Sequence, residues 1–169
     1  ARYDLATGKK EPVEKANWDV MYTYFSHNGK YRVLAVNEDA HTKITITDTK
    51  TGKLVPLPKL PNGDITGVNI SDDEKLMAFY FNGDRSPSNL YVFDFNTGRA
   101  TRLTNSLNPE INPDDLVDSE VVRFKSFDGM TIPNILFKPH GASATSKAPA
   151  LVWVHGGPGG QTARGYSAL

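Results

Sequence analysis

Leu151-Val152-Trp153-Val154 runs directly into His155-Gly156-Gly157-Pro158-Gly159-Gly160, and this stretch decides how the end of the chain is interpreted. An apolar, partly β-branched run that stops at a glycine cluster predicts a buried strand that feeds a tight loop. Glycines lack a Cβ atom, so the backbone of such a loop can approach a bound group closely. Backbone N–H groups directed at a developing oxyanion are typically worth about 2.7–4 kcal/mol each in a transition state.

Two other interpretations of the glycine cluster compete with this one. A phosphate-binding loop is disfavoured because no Gly-Lys-Ser/Thr follows and because Pro158 has no N–H to donate. A purely structural turn would fit an isolated glycine cluster. The apolar run before the cluster, which places Trp153 in a core, and a second informative stretch upstream argue against a simple turn.

The upstream stretch is residues 121–139, in which two runs of alternating polarity are joined by Asp128-Gly129. Alternation on both sides of an Asp-Gly pair is a strong signal for a β-hairpin. Pro139 closes the second run. Residues 140–149 are small and polar, which predicts a surface loop between this hairpin and the strand at 151–154.

The hairpin followed by His-Gly-Gly-Pro resembles the entry to the catalytic domain of the prolyl oligopeptidase family of serine peptidases. The dipeptidyl aminopeptidase and acylaminoacyl peptidase branches are the most similar. The resemblance depends on Ser126-Phe127-Asp128-Gly129, on Pro139 and on the motif from His155 to Pro158. Each half of this pattern is weak alone, and the combination is fairly specific.

The resemblance implies a role for each residue of the loop. Gly157 would supply a backbone N–H to the oxyanion hole, with Gly156 as the neighbouring candidate. His155 would shape the loop without acting as the general base, and Pro158 would rigidify its exit. The nucleophile motif Gly-x-Ser-x-Gly does not occur in this sequence, and Gly165-Tyr166-Ser167-Ala168-Leu169 lacks its closing glycine.

The triad of the implied peptidase therefore lies outside this chain, since its Asp and His follow the Ser in chain order in this fold. No nucleophile, acid or base is assigned to any residue here. The chain alone is expected to be inactive, and either to associate or to fold poorly. The complete protein would hydrolyse peptide bonds in short peptides, so its implied partners are a peptide substrate and the remainder of its own chain. Assembly into a homo-oligomer stays open.

A repeat precedes the hairpin. Asp4-Leu5-Ala6-Thr7-Gly8 recurs as Asp48-Thr49-Lys50-Thr51-Gly52 and as Asp94-Phe95-Asn96-Thr97-Gly98, so that the glycines recur after 44 and then 46 residues. A period of this length with strands between the motifs predicts propeller blades of four strands each. In the motif, the Asp side chain can accept hydrogen bonds from N–H groups two or three residues on, and the glycine can adopt a left-handed conformation.

The predicted fold class is mainly β: a partial β-propeller of about two and a half blades, followed by the first strands of an α/β-hydrolase domain. Residues 1–105 are predicted to be the partial propeller, starting within a blade. Residues 106–119 would be a hinge, in which Asn112-Pro113-Asp114-Asp115 has the features of a short helical turn. Residues 120–169 would be the N-terminal part of the catalytic domain.

Composition excludes several classes of function. Lys+Arg and Asp+Glu both number 19, so no basic surface favours nucleic acid or an anionic membrane. No apolar run approaches the roughly 20 residues needed to span a bilayer. The absence of cysteine excludes a disulfide framework and a thiol nucleophile. No metal site is predicted, because no ligands are clustered at suitable spacing, and no cofactor is predicted. The cellular compartment stays open.

The remaining polar candidates are interpreted as structural. His27 and His41 fall at predicted turns or strand edges, and His140 begins a loop. Asp72-Asp73-Glu74 predicts a solvated hairpin turn in preference to a pair of catalytic carboxylates. Arg164 follows the glycine loop, near the expected mouth of the site, and receives no role.

A binding module is the alternative function. A propeller-type domain that binds a protein or ligand without catalysis explains the repeat equally well. It gives no purpose to a His-Gly-Gly-Pro loop after an apolar run, and for that reason the peptidase is preferred.

Overall fold

The computed structural model describes residues 1–167 of the chain and is built almost entirely of antiparallel strands. A single turn of 3-10 helix, Pro113–Asp115, is the helical segment of this described part. The strands are β1 (Arg2–Tyr3), β2 (Lys10–Glu11), β3 (Asp19–Phe25), β4 (Tyr31–Glu38), β5 (His41–Asp48), β6 (Asp64–Ile70), β7 (Leu76–Gly83), β8 (Ser86–Asp94), β9 (Arg99–Arg102), β10 (Ser119–Lys125) and β11 (Thr131–Phe137).

The strands form four separate sheets, in the orders β1-β2, β3-β4-β5, β6-β7-β8-β9 and β10-β11. None of the sheets formed by residues 1–167 closes on itself. The β6–β9 sheet has the four consecutive antiparallel strands of a complete propeller blade. The predicted mainly β fold with an incomplete propeller is therefore confirmed.

The β3–β5 sheet has no fourth strand at residues 54–57, although blades of four strands were predicted. Only an isolated bridge joins Leu54 to Thr47, and the Val55 N–H then donates to the carbonyl of Ile46 at 2.8 Å. Pro56 and Pro58 lack the N–H groups that would continue the ladder.

The repeated Asp-Gly motif forms the same turn three times. At Asp48, the carboxylate accepts from the Thr51 N–H at 2.8 Å, and the Asp48 carbonyl accepts from the Gly52 N–H at 2.8 Å. Gly52 has φ +70°, in the left-handed region that favours glycine. The equivalent turns at Asp4 and Asp94 share these hydrogen bonds from the backbone to the aspartate. The predicted mechanism of the repeat is therefore confirmed.

The core lies between the β3–β5 sheet and the β6–β9 sheet. On β7, alternate side chains are fully or almost fully buried, as a strand with one face against a partner sheet requires. Phe79 is 0% exposed and packs against Tyr91, with ring centroids 5.5 Å apart. The buried apolar residues from both sheets form one cluster: Tyr31, Val33, Ala35, Ile44, Ile46, Ile70, Met77, Phe79, Phe81 and Phe93.

Tyr24 adds a polar link between the two sheets. Its hydroxyl donates to the carbonyl of Val68 at 2.5 Å. Burial and the neighbouring Tyr22 raise the pKa of Tyr24 to about 12. The hydroxyl therefore stays protonated, and able to donate this hydrogen bond, across the physiological pH range.

A second link between the sheets is Glu74, in the β6–β7 turn. The Asp72-Asp73-Glu74 turn was predicted to be solvated, but Glu74 is only 6% exposed. Its carboxylate accepts from the Ser26 hydroxyl at 2.5 Å and from the backbone N–H groups of Asn28 at 3.0 Å and Lys30 at 3.1 Å. The prediction of full solvation is wrong for Glu74, because its side chain turns inward to satisfy donors of the β3–β4 turn.

Glu74→Gln is expected to lower the melting temperature at pH 7 and to flatten the loss of stability in acid. The hydrogen bond from Ser26, opposed by burial and assisted by the N–H groups of Lys30 and Asn28, holds the pKa of Glu74 below its ordinary 4.5. A carboxyl with a lowered folded-state pKa adds stability that is present above pH 4.5 and is lost as the pH falls through the folded value. Thermal melts of both proteins from pH 7 down to pH 3 measure this, with the exposed Glu120→Gln as the matched control. Superimposable curves for wild type and Glu74→Gln would contradict the assignment.

The short helical turn and the hairpin form as predicted. Asn112 caps the 3-10 turn, its side chain accepting from the Asp114 N–H at 3.1 Å. Strands β10 and β11 pair in register through the Asp128-Gly129 turn, where Gly129 has φ +85°. The division of the chain into propeller, hinge and catalytic domain remains a prediction.

Candidate functional site

Residues 151–154 do not form the predicted buried strand. All four side chains are exposed, from 84% for Leu151 to 67% for Trp153, so the prediction that Trp153 lies in a core is wrong as well. A strand needs neighbouring strands for its backbone hydrogen bonds, and a buried strand needs packed layers on its faces. The described part of the chain places no strand beside this segment.

The loop from His155 to Pro158 is exposed and open. A Cβ atom added to Gly156 or Gly157 would meet nothing within 4 Å. Within residues 1–167, the N–H groups of Gly156 and Gly157 make no hydrogen bond. Both amides are thus available to a ligand, as an oxyanion hole requires.

Two contacts shape the loop from inside. The Nδ1 atom of His155 lies 2.8 Å from the carbonyl oxygen of Gly156, a hydrogen bond in which the ring N–H donates. A Cβ atom at Gly160 would come within 2.3 Å of the same carbonyl oxygen, so the chain can fold back here only as glycine. The His155 ring thus holds the Gly156 carbonyl, and the backbone of Gly160 lies close against it.

A buried polar cluster lies just beyond the loop, where the ends of the blades meet the start of β10. We call the set His41, Asp64, Asp84, Ser119 and Arg164 the Arg164 cluster. Its members come from β5, β6, the β7–β8 turn, β10 and the segment after the glycine loop. Asp84, Asp64 and Ser119 are buried, with 5–7% of each residue exposed. From the sequence, His41 was expected at a turn or strand edge and Arg164 near the mouth of the site without a role, and no role was predicted for Asp64, Asp84 or Ser119.

Asp84 is the centre of this cluster. Its Oδ2 atom accepts from the Ser119 backbone N–H at 2.8 Å and from the Ser119 hydroxyl at 2.7 Å, and its Oδ1 atom accepts from the Gly165 N–H at 2.9 Å. Burial acts to raise the pKa of Asp84, but the hydrogen bonds from Ser119 and Gly165 and the charge of Arg164 outweigh it, and the net pKa is lowered. Asp84 is therefore held ionised.

The cluster contains Ser, His and Asp but is not a catalytic triad. His41 Nδ1 lies 2.7 Å from Asp64 Oδ1, while His41 Nε2 contacts the Arg164 guanidinium instead of a hydroxyl. The Ser119 hydroxyl donates to the buried Asp84 carboxylate and accepts from Arg164, so no histidine is positioned to take its proton. The space between these residues is too small for a water molecule. The interior of the cluster therefore leaves no room for a substrate.

Two features are absent from residues 1–167. No group of three or more His, Cys, Asp or Glu side chains there is arranged to hold a metal ion. No helix there is long and apolar enough to cross a membrane. Of the near-match to a nucleophile motif at residues 165–169, Ala168 and Leu169 lie outside the described residues.

No family model matches the chain. Two curated proteins do, both named prolyl endopeptidase. The protein from Elizabethkingia miricola is 30% identical over 130 residues, which cover 76% of this chain and 18% of the relative. The protein from Elizabethkingia meningoseptica is 28% identical over 155 residues, which cover 91% of this chain and 20% of the relative. The chain thus spans about a fifth of the length of these relatives.

Solved structures give the same result for the fold. A structure described in a study of two prolyl endopeptidases matches with a TM-score of 0.64 and 18% identity, covering 83% of this chain and 21% of that one. Prolyl oligopeptidase B from Galerina marginata, bound to a 35mer hydrolysis and macrocyclization substrate, matches with a TM-score of 0.58 and 20% identity. That match covers 72% of this chain and 17% of the Galerina protein.

The blade-like sheets and the following hairpin define a protein of the β-propeller class with an appended β-hairpin unit. The similar proteins described above point to one family within this class. They confirm the resemblance to the prolyl oligopeptidase family, over a part of the length of its members. These relatives are named prolyl endopeptidases, whereas the sequence motifs favoured the aminopeptidase branches, and the branch stays a prediction.

Proposed function

We propose that this chain is part of a serine peptidase of the prolyl oligopeptidase family. In this proposal residues 1–105 belong to its propeller, residues 106–119 to the hinge, and residues 120–169 to the N-terminal part of its α/β-hydrolase domain. The observation that carries the proposal is an open loop with two unengaged N–H groups, at Gly156 and Gly157, in a chain similar to prolyl endopeptidases.

Gly157 would donate its N–H to the carbonyl oxygen of the scissile bond, with Gly156 beside it. In a serine peptidase the Ser oxygen attacks that carbonyl carbon while a His takes the Ser proton, and the carbonyl oxygen becomes an oxyanion. The N–H groups stabilise this charge most strongly in the transition state, because they are already oriented before the reaction. His155 would keep the loop in shape through its hydrogen bond to the Gly156 carbonyl.

The substrate we propose is a peptide. This follows from the names of the relatives and from the structure of the Galerina protein with a 35mer substrate. The Ser, His and Asp of the triad would be contributed by the remainder of the same polypeptide.

A fluorophosphonate probe tests the proposal, since it reacts covalently with the activated Ser of serine hydrolases. The full-length native gene product is labelled beside the 169-residue chain as the control. We expect labelling of the long form alone. Absence of labelling in both forms would overturn the peptidase and favour a non-catalytic binding module.

A further inference from the structure

We propose that Arg164 is a positioning residue for the His155–Pro158 loop: it anchors the segment after the loop to the ends of two blades and to the start of β10. The inference rests on the proposed function, because the loop needs a fixed position only if its N–H groups act on a reacting carbonyl. Arg164 follows Pro158 by six residues, close enough in the chain to restrain the loop.

The Arg164 side chain contacts three residues of different elements, which are Ser119, Asp84 and His41. Its Nε atom donates to the Ser119 hydroxyl at 2.8 Å, and its Nη2 atom donates to the Ser119 carbonyl at 2.5 Å. The same Nη2 atom lies 3.4 Å from Asp84 Oδ2. A planar guanidinium can reach a hydroxyl, a carbonyl and a carboxylate together, whereas the compact ammonium of lysine cannot satisfy this geometry.

The backbone of the same segment is also bound to the blades. The Arg164 N–H donates to the Ala40 carbonyl at 3.0 Å, and the Gly165 N–H donates to Asp84 Oδ1 at 2.9 Å. Three residues earlier, the Gln161 side chain accepts from the Asn37 amide at 2.5 Å. Two of these contacts fall on the β4–β5 hairpin, so the segment is fixed at successive points along one blade.

Burial makes this anchorage strong. The side chain of Arg164 is 14% exposed and that of Asp84 is 3% exposed. Removing the cation would leave a buried carboxylate without its charged partner, which is strongly destabilising for the local arrangement. The loop itself is exposed on all sides, so its position is determined by what holds its ends.

The test compares Arg164→Ala and Arg164→Lys in the full-length protein, with Arg99→Ala on exposed β9 as the matched control. Amide hydrogen exchange is measured over residues 151–163, together with kcat and KM for a chromogenic peptide. We expect faster exchange in both Arg164 variants and a 10- to 100-fold lower kcat with a smaller change in KM, as about 1 Å of misplacement can produce. Arg164→Lys is expected to restore neither the slow amide exchange nor the wild-type kcat.

Exchange over residues 151–163 equal to that of Arg99→Ala would overturn the proposal, and so would an unchanged kcat. A merely structural role would lower the melting temperature without a kcat-specific loss. If Arg164→Ala does not fold, Ser119→Ala is used instead, because it removes one hydrogen-bond partner of Arg164. Amide exchange over residues 151–163 and the values of kcat and KM are measured for it in the same way. A wild-type protein without hydrolase activity would defeat the proposed function and the catalytic part of this inference together, while the exchange rates would still decide whether Arg164 anchors the segment.

Discussion

Replacing Gly157 with proline in the full-length protein is expected to lower kcat about 10²- to 10³-fold, the loss typical for one missing oxyanion-hole donor. Proline has no backbone N–H, so the substitution deletes the donor that we assign to Gly157. A Cβ atom at this position meets nothing within 4 Å. Within the described residues the Gly157 N–H makes no hydrogen bond that the fold would lose.

Gly157→Ala is the matched control, because alanine adds one carbon at this open position and keeps the N–H. Steady-state kinetics and a thermal melt are measured for both variants. We expect Gly157→Ala to stay within a few-fold of wild type, with KM altered less than kcat for Gly157→Pro. Equal kcat values for the two variants would remove Gly157 from the oxyanion hole and leave Gly156 to be tested by the same substitution.

The local features of this fold were predictable because each depends on a few neighbouring residues. The Asp48 to Gly52 turn follows from an aspartate that accepts from nearby N–H groups and a glycine that can be left-handed. The β10–β11 hairpin follows from alternation around Asp128-Gly129. Such signals are contained within ten or twenty residues, so they do not depend on how distant segments pack.

The Arg164 cluster was not predictable, because its contacts join residues that are far apart in the chain. Arg164 binds Ser119, Asp84 and His41, which are 45 to 123 residues away in the chain. Each of these residues is ordinary in its local sequence, and only the packing of blade ends against β10 brings them together.

Residues 151–154 were predicted wrongly for a different reason. Their local sequence pattern favours a strand, but the described residues provide no neighbouring strand for it to pair with. The apolar sequence favours a strand, but the free energy of a strand comes from neighbouring strands and from the layers that cover it. Without these among residues 1–167, Leu151 and Trp153 are exposed. The loop that follows is open around Gly156 and Gly157, and its hydrogen bond from His155 to the Gly156 carbonyl is local.

Phe79→Ala is expected to destabilise the protein by about 3–5 kcal/mol, the range for truncating a buried phenylalanine. Phe79 is 0% exposed on the inner face of β7, stacked on Tyr91 and within the cluster that joins the two blade sheets. Removing the ring takes away buried apolar area and leaves a cavity that strands on both sides cannot fill.

The next residue on the same strand provides the control. Tyr80 points to the opposite face of β7 and is 47% exposed, so Tyr80→Ala removes a similar ring with little loss of buried area. Urea unfolding followed by fluorescence gives the midpoint and slope for both variants, and we expect a cost for Tyr80→Ala that is smaller by at least about 2 kcal/mol. Equal losses in the free energy of unfolding would mean that the buried face of β7, which is directed at the β3–β5 sheet, does not stabilise the pair of sheets more than the exposed face does. That result would also weaken the anchorage inferred for Arg164, since Asp84 and Ala40 are held in place by these same two sheets.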